Sequence, residues 1–161
     1  MAVQAFIGIG SNLADPVAQV RRAIDWLDQL PETSRCAASR LYRNPPMGPA
    51  DQPDYVNAVA EIETALSPQA LLAALQALEA DAGRDRSGRR WGPRPLDLDL
   101  LVYGDQQIDE AALTVPHPGL ASRAFVLHPL AEIAPALPIP GLGTVGSLVE
   151  RVAADDLIAV E

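Results

Sequence analysis

Hydrophobic periodicity along this chain changes in one particular order, and that order leaves few folds open. Residues 3–9 alternate loosely with a period of two, as a strand does, and GIGSN at 8–12 turns out of it. Val17, Val20, Ile24 and Leu27 then keep helical spacing, with Asp15 as N-cap, Pro16 in the first helical position and Pro31 as the stop. Residues 36–42 read as a second strand. Residues 55–64 alternate again, with Val56, Ala58, Ala60 and Ile62 on one face and Tyr55, Asn57, Val59 and Glu61 on the other. Ser67 and Pro68 open a second helix whose stripe is Leu71, Leu72, Leu75 and Leu78; Gly83 stands where a helix-ending glycine belongs. Residues 96–103 make a last apolar strand. The order β-α-β-β-α-β predicts an α+β protein: a ferredoxin-like βαββαβ core, its antiparallel sheet packed against helices. Short pieces follow as a C-terminal extension, with a short helix near 144–152. A mixed α/β sheet of other connectivity stays open on this reading.

The chain has 161 residues, 48% of them hydrophobic, which suits one compact domain over 1–161 and hardly two. No window is apolar and long enough to span a bilayer, and the first residues lack a secretory pattern. Cys36 is the single cysteine, which excludes an internal disulfide and any multi-cysteine zinc site; a reducing cytoplasm is the expected setting. The net charge of −9 makes the chain a poor general partner for nucleic acid. Its basic residues are all arginine, so the lysine of a P-loop is missing.

Charge is unevenly placed. Arg84, Arg86, Arg89, Arg90 and Arg94 fall in one window, RDRSGRRWGPR, with Gly88, Gly92 and Pro93 among them. By composition this is a positive loop. Directly after it, two carboxylates interrupt the apolar strand, Asp97 and Asp99. Residues two apart on a strand share a face, with Cα atoms about 6–7 Å apart. Two charges at that distance repel by about 2–3 kcal/mol at an effective dielectric of 20. Solvent on an exposed face, arginines or metal ions could each offset that. Two carboxylates suit hard Mg²⁺, which takes one or two of them together with substrate phosphates, and arginine forks suit phosphate oxygens. The pair beside the arginine loop is therefore coherent as a phosphoryl-transfer site, with an exposed polar strand face as the bland alternative.

The string RWGPRPLDLDLL, residues 90–101, closely resembles the signature of the 6-hydroxymethyl-7,8-dihydropterin pyrophosphokinase family of folate biosynthesis. IGIGSNL near the start, YRNPPMGPADQPDYVNAV at 42–59, LTVPHP at 113–118 and RAFVLHPLAEIAP at 123–135 are similar to that family in the same order. The resemblance implies transfer of a pyrophosphoryl group from ATP to the pterin's hydroxymethyl oxygen, with release of AMP. It implies two Mg²⁺ ions held by Asp97 and Asp99. ATP is the co-substrate.

Further roles follow from the same resemblance. Arg84 and Arg94 would act on the triphosphate as catalytic residues, with Trp91 in the loop between them. His117 and Arg123 would lie beside the phosphates, Leu100 and Thr114 near the base or ribose, and Gln76 and Glu79 towards the nucleotide or the loop. For the pterin, the family implies Tyr55 and Asn57, Phe125 as a stacking ring, Asp97, and backbone groups of Pro45, Pro46, Met47 and Gly48. Ser87, Ala112 and Pro118 depart from the family's pattern and bear on nucleotide contacts, not on the aspartate pair. A monomer acting on small molecules, with neither nucleic acid nor membrane as partner, is expected. The competing readings are a non-catalytic nucleotide-binding protein on the same fold and another Mg²⁺-dependent phosphotransferase.

Overall fold

The computed structural model describes residues 2–12, 15–44, 55–82, 96–152 and 157–160. In chain order the elements are β1 (Val3–Ser11), α1 (Pro16–Leu27), β2 (Thr33–Ala38), β3 (Tyr42–Asn44), β4 (Tyr55–Thr64), α2 (Pro68–Ala82) and β5 (Asp97–Tyr103). The extension carries β6 (Ile108–Asp109), β7 (Thr114–Val115), α3 (Ala124–Ile133), β8 (Pro138–Ile139), β9 (Gly143–Thr144), α4 (Val145–Val149) and β10 (Ile158–Ala159).

Among the described residues the main sheet has six strands, ordered β10-β3-β4-β1-β5 with β2 also on β4. Its pairings are antiparallel. Taking β2 and β3 together, the order β5-β1-β4-β2/β3 is that of the ferredoxin-like split βαβ arrangement. Alternation along the strands divides the core into two layers. Ala5, Ile7, Ile9, Ala58, Ala60, Ile62, Leu98 and Leu100 pack with Val20, Ile24 and Leu27 of α1 and Leu71 and Leu75 of α2. Phe6, Val59, Leu101 and Val102 pack on the other side with Val126, Leu127 and Leu130 of α3 and Val145 and Leu148 of α4.

The helix caps follow the sequence. Asp15 accepts from the Ala18 N–H at 3.4 Å, and Ser67 Oγ from the Ala70 N–H at 3.1 Å. The predicted second strand is instead two pieces, β2 and β3, interrupted at Ser39. There the Ser39 N–H still donates to Val59 O at 2.8 Å, but the Val59 N–H turns to Ser39 Oγ at 3.0 Å and the Arg40 N–H to Glu132 at 2.8 Å, so side chains take over part of the ladder. α1 ends at Leu27, ahead of Pro31, where the Asp28 N–H tightens the last turn onto Asp25 O at 3.2 Å; the Asp28 carboxylate accepts the Arg35 N–H at 2.9 Å.

The largest departure is α3, where the sequence reads as short pieces. Pro129 lies inside it. A proline in a helix interior costs about 3 kcal/mol. Burial of Val126, Leu127 and Leu130, each contributing roughly 1.5–3 kcal/mol, outweighs that cost. No helix among the described residues is long and apolar enough to cross a membrane.

Candidate active site

Three adjacent strands build the floor of a cleft. Gly10 on β1 pairs with Asn57 on β4 and with Asp97 on β5; Gly8 likewise pairs with Val59 and Asp99. Asp97, Asp99 and Asn57 therefore share the sheet face that α3 covers further along. With glycines between them, nothing fills the central strand's place on that face. Arg123 and Phe125, at the start of α3, form the facing wall, and Tyr55 and Asn44 close one side. The cleft encloses about 180 Å³ and is open at its mouth.

The polar groups in it are held. Asn57 is buried, and its Nδ2 donates to Asn44 Oδ1 at 2.6 Å. That bond assigns the amide: the oxygen is turned toward Gly10, where an added Cβ would lie 2.7 Å from it. Arg123 lies over the Phe125 ring, 5.7 Å from its centre, in a cation–π arrangement. Gly119 gathers two of the predicted residues. Its N–H donates to His117 Nδ1 at 3.0 Å, and its bare Cα leaves room for the Arg123 guanidinium. A ring whose Nδ1 accepts carries its proton on Nε2 when neutral. Nε2 lies 3.9 Å from Asp99 Oδ2, beyond hydrogen-bond reach but within ion-pair range for a protonated ring. The His117 N–H is also bonded to Leu101 O at 2.9 Å, which fastens this turn to β5.

The remaining predicted residues divide. Arg84, Trp91, Arg94, Pro45, Pro46 and Met47 lie outside the described residues. Thr114 is exposed and, with His117, lines a second and more open groove. Gln76 is exposed on α2. The Leu100 side chain is buried in the core on the face opposite the cleft, as a strand neighbour of Asp99 must be. The Glu79 carboxylate accepts the Leu98 N–H, between the two aspartates, at 2.7 Å.

Three features were missed from sequence: the Asn44–Asn57 bond, the Gly10 contact and Asn12. The Asn12 side chain is fully buried, and among the described residues neither amide atom has a hydrogen-bond partner. A polar Asn57 on an alternating strand is the signal that pointed to the first; Asn44 lies diagonal to it, opposite Tyr55.

Hard oxygen donors dominate the cleft. Among the described residues no group of three or more His, Cys, Asp or Glu side chains converges to hold a metal. Two carboxylates open to a cleft fit Mg²⁺, which completes its shell with water and substrate phosphate, and do not suit zinc, which wants a set of protein nitrogen or sulfur ligands.

A ferredoxin-like fold whose cleft sets two carboxylates beside cationic side chains defines an α+β domain with a small-molecule cleft. The family of 7,8-dihydro-6-hydroxymethylpterin-pyrophosphokinases matches residues 6–135, and the chain belongs to it. A 2-amino-4-hydroxy-6-hydroxymethyldihydropteridine pyrophosphokinase of Pseudomonas aeruginosa is 51% identical over 140 residues, covering 87% of this chain and 86% of that one. Its namesake in Haemophilus influenzae is 47% identical over 97% of both. A crystal structure of Plasmodium falciparum HPPK-DHPS with pteroate superposes with a TM-score of 0.74 at 13% identity. It covers 94% of this chain, which spans 42% of that longer one, and it bears on the fold alone. Membership disfavours the non-catalytic reading.

Proposed function

We propose that the cleft over Gly8 and Gly10 is where this chain transfers the pyrophosphoryl group of ATP to the hydroxymethyl oxygen of 6-hydroxymethyl-7,8-dihydropterin, releasing AMP, as a step of folate biosynthesis. The observation that carries the reading is the single row Asn57–Gly10–Asp97, which puts an oriented amide and a carboxylate on one bare sheet face.

Each end of the row has its own task. Asn57, with its amide fixed by Asn44, offers a directed polar edge to the flat pterin, and Tyr55 and Phe125 offer ring surfaces. Asp97 and Asp99 would hold two Mg²⁺ ions, which when bound neutralise phosphate charge. Arg123 and the Nε2–H of His117 reach the same region as donors to phosphate oxygens. Arg84 and Arg94 are proposed beside the triphosphate, with Trp91 between them in sequence, and Pro45, Pro46 and Met47 beside the pterin. Thr114, Gln76, Glu79 and the Leu100 main chain are proposed on the nucleotide side. Phosphoryl transfer asks mainly for positioning and charge stabilisation, and these groups supply both.

The chain is proposed to act as one domain and as a monomer on small molecules. A cytoplasmic setting is supported by the lone, exposed Cys36. The decisive assay mixes protein, ATP, Mg²⁺ and the pterin and scores the nucleotide product. AMP that depends on pterin is expected; ADP, or AMP formed equally without pterin, overturns the reading.

A further inference from the structure

β5 ends the sheet path, so one of its sides has no strand neighbour among the described residues. A free strand edge leaves N–H groups to water. At Leu98 that does not happen: Glu79, in the last turns of α2, accepts its N–H at 2.7 Å. The peptide so held lies between Asp97 and Asp99. Glu79 thus holds the backbone of the residue that separates the two aspartates. Glu79 is also half-buried and ties the sheet edge to a helix on the opposite face from the cleft.

We propose that Glu79 is a positioning residue for the divalent-cation site: by fixing the Leu98 peptide it sets the spacing and direction of Asp97 and Asp99. This rests on the reading of those aspartates as metal-holding. This role is additional to a place on the nucleotide side, because it acts through the backbone of β5. The charge-assisted bond is roughly twice as strong as a neutral one, which suits a strand that must stay rigid against the repulsion of its own side chains.

The test compares wild type, Glu79→Gln and Glu79→Ala with two readouts. One is hydrogen exchange at the Leu98 amide. The other is Mn²⁺ affinity by electron paramagnetic resonance, with α,β-methylene-ATP present. Glu79→Ala is expected to lose Leu98 protection and to weaken Mn²⁺ binding by about 10–100-fold, the usual effect of removing a group that orients a ligand. Glu79→Gln is expected to recover protection and most of the affinity. Circular dichroism and melting of each variant exclude simple unfolding. Lost Leu98 protection with unchanged Mn²⁺ affinity overturns the proposal, as does unchanged protection in Glu79→Ala. Weak nucleotide binding in the absence of metal, with normal Mn²⁺ affinity, assigns Glu79 to the nucleotide instead. If the wild type itself binds no Mn²⁺, the reading of Asp97 and Asp99 falls, and the proposal falls with it.

Discussion

Gly10 lies on the strand between Asn57 and Asp97, and its lack of a Cβ leaves room for the Asn57 amide. In Gly10→Ala the new methyl would come within 2.7 Å of Asn57 Oδ1 and would turn that amide out of place. The expected result is a KM for the pterin raised by about tenfold, equivalent to 1.4 kcal/mol, with KM for ATP little changed. Steady-state kinetics in each substrate checks it; equal changes in both would count against a pterin-side role for Asn57. Asn44→Ala leaves the Asn57 Nδ2 without this partner, so a stability loss of about 1–3 kcal/mol is expected in urea melts. Asp97→Asn and Asp99→Asn should each abolish AMP formation while the fold stays intact. Relief of carboxylate repulsion should leave their melting temperatures equal to the wild type or higher. A large drop in stability would identify the pair as structural.

At the level of elements, α3 is joined to the sheet edge by Glu132. Its carboxylate accepts from the Arg40 N–H at 2.8 Å, from Arg40 Nε at 3.3 Å and from the Tyr42 hydroxyl. Burial pushes the Glu132 carboxyl up, but these donors outweigh it and hold it below the ordinary glutamate range. Burial and the bond to Glu132 raise the Tyr42 hydroxyl. The sign follows from linkage: a carboxyl lowered in the folded state adds stability above its unfolded value and loses it as pH falls through the folded one. Glu132→Gln should therefore cost about 1 kcal/mol at pH 7, discounted for partial exposure, and flatten the stability loss below about pH 4.3. Denaturation at pH 7 and pH 3.5 measures both; an unchanged acid limb would contradict the assignment. α3 was invisible in sequence because Pro129 is a local stop signal. What overrides it is burial against Phe6, Val59 and Leu101, residues remote along the chain.

Taken whole, the protein has one sheet serving two apolar layers. Helices α1 and α2 lie on one face and α3 and α4 on the other, so neither layer can unfold without stripping the sheet the other rests on. A single cooperative transition is expected, with near- and far-ultraviolet dichroism coincident. Two separate steps would mean that the extension folds as its own unit. Mg²⁺ with a non-hydrolysable ATP analogue should raise the melting temperature, by mass action; about 2.7 kcal/mol is expected at 100-fold excess over Kd.

Sequence alone determined the element order, the caps at Asp15 and Ser67, the strand 55–64 and the pairing of Asp97 with Asp99 on one face. These are local properties: period, capping chemistry and i, i+2 geometry act between residues close in the chain. It also carried the family motifs, because those are contiguous strings. Only the tertiary structure decided which face the aspartates share with Asn57, that Gly10 separates them, and that Leu100 turns away from the cleft. It also set Glu132 and Glu79 to their tasks. Those depend on register between strands and on contacts across long loops, and no periodicity records which remote partner a strand will meet.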